Sequence, residues 1–175
     1  MIHNALTRWA ARRLHARLTR TVIQHRHPDF AIGGENSPYL LRWYLIPRNR
    51  FLNVYLHVFL RGDDDRALHD HPWWSASLTL DGAASEVYWH EGRSPIDGLA
   101  TIAWRPVRVG DVVLRSACFA HRIVLDGPAP YTTLFITGPR VRAWGFWCQR
   151  GWRHWKVFTG YADTGDSTKI GRGCE

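Results

Sequence analysis

Residues 62–72 read GDDDRALHDHP and residues 110–121 read GDVVLRSACFAH, and the relation between these two stretches decides the fold. In an extended strand successive side chains alternate between faces, so His69 and His71 share one face while Asp70 points to the other. Two imidazoles on one face can grip a single transition-metal ion. An H-x-H pair arises readily by chance in a chain with ten histidines and carries little alone. The second stretch changes that, because it ends in His121, fifty positions after His71, and supplies a third ligand.

The texture around both stretches is that of an all-β domain. Short runs at 39–46, 53–60, 74–80, 85–90, 100–104, 112–115, 121–125 and 132–137 are rich in Val, Ile, Leu, Thr and aromatics. Gly, Pro, Asp and Asn separate them, with almost no helical periodicity between, which predicts an antiparallel sandwich or barrel. The exception is residues 5–24, ALTRWAARRLHARLTRTVIQ, where Leu6, Ala10, Leu14, Leu18 and Val22 recur at steps of four. Trp9 flanks this stripe and Arg8, Arg12, Arg13, Arg17 and Arg20 lie largely off it, predicting an amphipathic helix with a basic outer face. The expected organisation is a single domain: a helical segment 1–30 packed on a barrel, the barrel over 31–161, and a flexible polar tail over 162–175.

At 175 residues the chain suits one domain, and 45% hydrophobic residues with ten Trp, seven Phe and six Tyr exclude a disordered one. The formal charge of +8 is compatible with an anionic partner, whether nucleic acid, a membrane surface or a small acidic substrate, and does not choose among them. Cys118, Cys148 and Cys174 are too few and too scattered for a disulfide framework, so the expected compartment is reducing and cytoplasmic. No apolar run is long enough to span a membrane, and the Arg-rich start reads as a docked helix rather than a targeting segment.

With both stretches in place, the chain resembles the cupin superfamily. Its first motif is G-x5-H-x-H-x3,4-E-x6-G and its second G-x5-P-x-G-x2-H-x3-N. His69 and His71 match the histidine pair, Gly82 the closing glycine, and Gly62 stands one residue too early. Ser75 occupies the glutamate slot. Gly110 and His121 keep the spacing of the second motif, while Ser116, Cys118 and Leu125 replace its Pro, Gly and Asn. The segments 69–73 (HDHPW), 133–138 (TLFITG) and 144–146 (WGF) also resemble those of small bacterial and phage cupins. The resemblance implies a double-stranded β-helix, or jelly-roll, barrel holding one divalent metal on His69, His71 and His121.

Without the glutamate, three neutral imidazoles leave the full metal charge in place, which favours an anionic or thiolate co-ligand. Three-histidine cupins include Fe(II) dioxygenases, so the resemblance implies an iron-dependent oxygenase of a small anionic molecule, with Zn, Ni or Mn as other candidate metals. The alternatives are a non-oxidative isomerase, lyase or ligand-sensing module, and a barrel that has lost its metal. A competing ligand set adds Glu86 from the next strand.

By strand alternation Trp73, Ser75, Ser77 and Thr79 share the face of the histidine pair, and Ser75, Ser77 and Arg142 are the candidate substrate-binding residues. Tyr88 and His57 are the candidate catalytic groups, His57 sharing its strand face with Tyr55 and Phe59. Arg105 and Arg115 are further candidate carboxylate anchors. Cys118 reads as a packing thiol. Trp144, Trp147, Trp152 and Trp155 with Arg142, Arg150 and Arg153 form the best nucleic-acid candidate. If the run 53–60 is an edge strand, it offers a homodimer contact.

Overall fold

The structure is a computed structural model of the chain and describes residues 5–33, 37–63, 67–90, 101–161 and 173–175. After a helix α1 (Ala5–Leu18), continued by one π-helical turn (Thr19–Ile23), come β1 (Phe30–Ile32), β2 (Leu40–Tyr44) and β3 (Asn53–Phe59). Then follow β4 (Leu68–His69), β5 (Ser75–Asp81), β6 (Ala84–Trp89), β7 (Ile102–Val107), β8 (Val112–Arg115), β9 (His121–Leu125) and β10 (Tyr131–Thr137). The chain closes with β11 (Gly145–Cys148), β12 (Gly151–His154) and the short helix α2 (Trp155–Phe158).

Strands β3 to β10 are divided between two antiparallel sheets, in the orders β3-β10-β5-β8 and β4-β9-β6-β7, with only β6 and β7 following each other in one sheet. That interleaving is the double Greek key of a jelly roll. Strands β1 and β2 extend the first sheet, and β11 and β12 extend the second. Because β3 lies between β2 and β10, it is an interior strand, which removes the edge contact expected of the run 53–60.

The alternation along β5 explains where the site can be. Leu78 and Leu80 face outward under α1, whereas Ser75, Ser77 and Thr79 face the barrel interior and are buried. The largest apolar cluster therefore sits outside the first sheet, where Ala11, Leu14, Leu18 and Val22 of the helical segment pack on Trp43, Leu56 and Leu80. This covering lets the barrel interior be polar without exposing the outer leucines. The buried helical stripe starts at Ala11, not at Leu6 and Ala10: Leu6 is 71% exposed. At Gly110 (φ +90°) an added Cβ would come within 2.7 Å of the Arg8 backbone, so the motif glycine is where α1 docks.

A disulfide joins Cys148 on β11 to Cys174, which corrects the expectation of unpaired thiols and removes its support for a reducing compartment. Two cysteines close in space need no framework of many, and their 26-residue separation hid the pair. Arg153 Nη1 donates to the carbonyls of Gly173 (2.8 Å) and Glu175 (2.5 Å), so the final three residues lie against the barrel. Cys118, read as a packing thiol, is exposed on the turn before β9. Closing a loop of this length is worth about 3 kcal/mol. Thermal unfolding with and without a reductant should show a lower Tm on reduction, and an unchanged Tm would mean the bridge does not hold the C-terminal segment.

Candidate metal centre

The second sheet assembles the histidines by register. His69 on β4 pairs directly with His121 on β9, and β11 pairs with β4 on the other side, setting Phe146 opposite His69. His71 lies just beyond the end of β4, so it reaches the site from the following turn and not from the strand itself. Its ring is held by stacking, with Trp73 at 4.7 Å and Trp144 at 6.5 Å between centroids. Ligand atoms of His69, His71 and His121 all lie within 4.8 Å of one another.

Asp70 holds this turn from the opposite face. Its carboxylate accepts from the Gly145 amide (2.8 Å), Trp152 Nε1 (3.0 Å) and Trp147 Nε1 (3.3 Å), and pairs with Arg142 Nη1 at 2.9 Å. Its own amide donates to the Gly145 carbonyl at 3.0 Å. The residue between the two histidines thus ties the H-D-H segment to the β11–β12 hairpin. Arg142, expected to bind substrate, is not brought to the cavity: besides Asp70 it donates to the Ala117 carbonyl at 3.1 Å. Of the four tryptophans that form the best nucleic-acid candidate, two direct their indole N–H groups at Asp70, and the other two, Trp144 and Trp155, stack on each other at 5.6 Å.

Glu86 is fully buried on β6, and its place decides the ligand set. One oxygen accepts from Arg115 Nε at 2.5 Å and the other pairs with Arg105. The first oxygen also lies 2.6 Å from His121 Nδ1, at the distance of a charge-assisted contact though off the N–H axis. Glu86 therefore stands behind His121, engaged by two guanidinium groups, and is not among the side chains whose ligand atoms converge. Burial alone would raise its carboxyl, but the contacts with His121 and Arg115 outweigh burial and hold it far below the usual carboxylate range. Burial pushes the His121 imidazole down to about 4 against the opposing pull of Glu86. Burial and the neighbouring histidines likewise hold His71 well below its usual value, and burial lowers His69.

Three imidazoles kept neutral are what a metal ion requires of its ligands. His71 Nε2 and His121 Nε2 face each other at 2.9 Å. Two nitrogens at right angles on a metal, each at about 2.1 Å, would stand roughly 3.0 Å apart, so the spacing suits adjacent positions on one ion. The buried Nδ1 of His69 has no hydrogen-bond partner. The donor set thus fits a divalent transition metal, and no carboxylate joins it among the described residues.

The site opens on a cavity of about 1180 Å³. His57, Ser77 and the three histidines line it, whereas Ser75, Tyr88 and Arg142 do not. Ser77 Oγ accepts from Arg115 Nη1 at 2.8 Å and so helps hold the Glu86 pair. Ser75 Oγ is buried without a partner, beside the equally unpartnered Thr137 Oγ1. Tyr88 packs on Phe119 at 5.4 Å, with the Arg105 guanidinium over its ring at 5.3 Å. His57 Nε2 accepts from Arg42 Nε at 2.9 Å, and its ring stacks on Phe135 at 4.9 Å. Sequence reasoning missed Arg42, since only the cross-strand pairing of β2 with β3 sets it beside His57.

Two substitutions test this wiring. Asp70→Ala should lower unfolding stability by about 3 kcal/mol, since it leaves Arg142 and buried donors unpaired. Equality with the wild type in denaturant titrations would contradict that. Glu86→Gln should weaken metal retention roughly 10- to 100-fold while His121 stays in place. Metal affinity measured by competition with a chelator reads the change, and unaltered affinity would mean Glu86 does not orient the ligand.

No protein-family model matches the sequence, and no curated protein matches it. Similar solved structures include a cupin superfamily protein from Desulfitobacterium hafniense, 19% identical over 61% of this chain and 81% of that one, TM-score 0.43. Another is the cupin domain of an XRE-family transcriptional regulator from Enterobacter cloacae, 14% identical over 58% and 99%, TM-score 0.42. A third is a recombinant oxalate oxidase in complex with glycolate, 14% identical over 66% of this chain and 59% of that one, TM-score 0.48. By its own strand order, the chain has the double-stranded β-helix fold of the cupins.

Proposed function

We propose that this protein is a metal-dependent enzyme of the three-histidine cupin type, an Fe(II) oxygenase acting on a small anionic molecule. The observation that carries the reading is the set of three converging imidazoles with no carboxylate among them, opening on a large cavity. Bound iron would supply direct coordination of the substrate and activation of O₂ at its open positions. The chain's own residues do the rest. His69, His71 and His121 would hold the ion. Trp73 and Trp144 fix the plane of His71, and Glu86 with Arg115 fixes that of His121. The aromatic walls, with Phe135, Phe146 and Trp144 among them, exclude water from the apolar part of a ligand.

A site with three neutral ligands keeps the charge of its metal, so an anionic substrate offsets what a glutamate would otherwise cancel. The test is an aerobic assay of iron-loaded protein against thiol and carboxylate panels, following oxygen uptake and metal content together. Uptake with one class of substrate, lost by at least a hundredfold in His69→Ala and in His121→Ala, is the expected result. Tightly held zinc, with no uptake for any substrate, would contradict it.

A further inference from the structure

The cavity wall carries an arginine whose terminal donors the fold does not use. Arg42 projects from β2 onto the face of Tyr55, its guanidinium 5.0 Å from the ring centroid. Its Nε donates to His57 Nε2, which leaves the proton of that neutral imidazole on Nδ1. Neither terminal amino group of Arg42 has a hydrogen-bond partner among the described residues, and no carboxylate pairs with it there. Neither is sealed away either, because Arg42 is part of the cavity wall. Elsewhere in the barrel the buried arginine is matched: Arg115 has Glu86 and Ser77. A half-buried cation without a counter-ion costs a fold some stability, and burial lowers the Arg42 guanidinium from its usual value.

The surroundings give the missing partner its sign and shape. Arg48, Arg50 and Arg140 also face the cavity, against the carboxylates of Asp63 and Glu175, so the wall favours an anion. The path from Arg42 to the metal ligands runs along an aromatic floor. His57 stacks on Phe135 at 4.9 Å, and Phe135 lies 6.4 Å from the His71 ring. We propose that Arg42, held in orientation by His57, is the anion-binding residue of this cavity, taking the carboxylate or phosphate of an organic anion whose apolar body lies along Phe135 toward His71. The planar fork of the guanidinium accepts such an oxyanion through two parallel N–H bonds, with Nε already committed to His57. His57 is then a positioning residue. This rests on the proposed function only for what happens at the far end of the ligand, because the anion site itself needs no metal.

The test uses the full chain freed of metal by chelation, titrated calorimetrically with benzoate, phenyl phosphate and the uncharged benzamide. The expected result is binding of one or both anions, with benzamide at least tenfold weaker; the preferred anion tells carboxylate from phosphate ligands. Arg42→Gln should weaken anion binding by about tenfold or more, the range for losing a charged hydrogen-bond donor. Arg108→Gln, a matched loss of charge at the exposed pair with Asp126, should leave it unchanged. Arg42→Lys keeps the charge without the fork and should fall between, which decides the matter if the glutamine variant does not fold. Anion binding equal to wild type in the Arg42 variants, or a wild type that binds no anion, would overturn the proposal. Loss of metal in His121→Ala with anion binding intact would separate this site from the metal centre. Anion binding by a protein that never holds metal would sink the oxygenase reading and leave this one standing.

Discussion

A carboxylate buried in a protein interior must be matched in charge and hydrogen bonding, or the fold does not tolerate it. Glu86 is that carboxylate here, fully buried on β6 and engaged by Arg105, Arg115 and His121. Arg115 belongs to β8 in the other sheet, so the ion pair crosses the barrel and joins its two walls. Ser77 on β5 steadies the far end of the same arginine. The polar interior follows from this constraint. With a charged network in the barrel, the main apolar cluster moves to the outside of the first sheet, under α1. The same network stands behind His121, which couples closure of the barrel to the orientation of a candidate metal ligand.

The H-D-H segment is a second coupling, made through its middle residue. His69 and His71 face the cavity, while Asp70 gathers the Gly145 amide, two indole N–H groups and Arg142 on the other side. A segment of three residues thus carries the site and the anchor of the β11–β12 hairpin. This hairpin returns Phe146 to His69 and Trp144 to His71, so the aromatic rim of the cavity depends on Asp70.

Much of this was legible in the sequence because spacing survives where letters do not. The β-rich texture indicated an antiparallel sandwich or barrel, the cupin resemblance implied the jelly roll, and the interval from His71 to His121 brought three histidines together although Pro, Gly and Asn of the second motif are replaced by Ser116, Cys118 and Leu125. The alternation along residues 75–79 correctly turned three hydroxyls inward. Other features depend on partners distant in sequence, which periodicity does not reveal. Arg142 and Arg42 are both arginines near aromatic residues, yet one meets a buried aspartate and the other a histidine across a strand pair. Ser75 sits in the glutamate slot but faces Thr137, not the cavity. The Cys148–Cys174 bridge depends on the chain end folding back, which three scattered cysteines do not announce.

The proposed metal centre consists of three histidines with no carboxylate. X-ray absorption at the metal edge of iron-loaded protein reports the number and type of ligands directly. Scattering from three imidazoles with nitrogen at about 2.1 Å is expected, falling to two in His121→Ala. Fewer than three imidazoles in the wild-type protein, or a carboxylate ligand that disappears in Glu86→Gln, would contradict it.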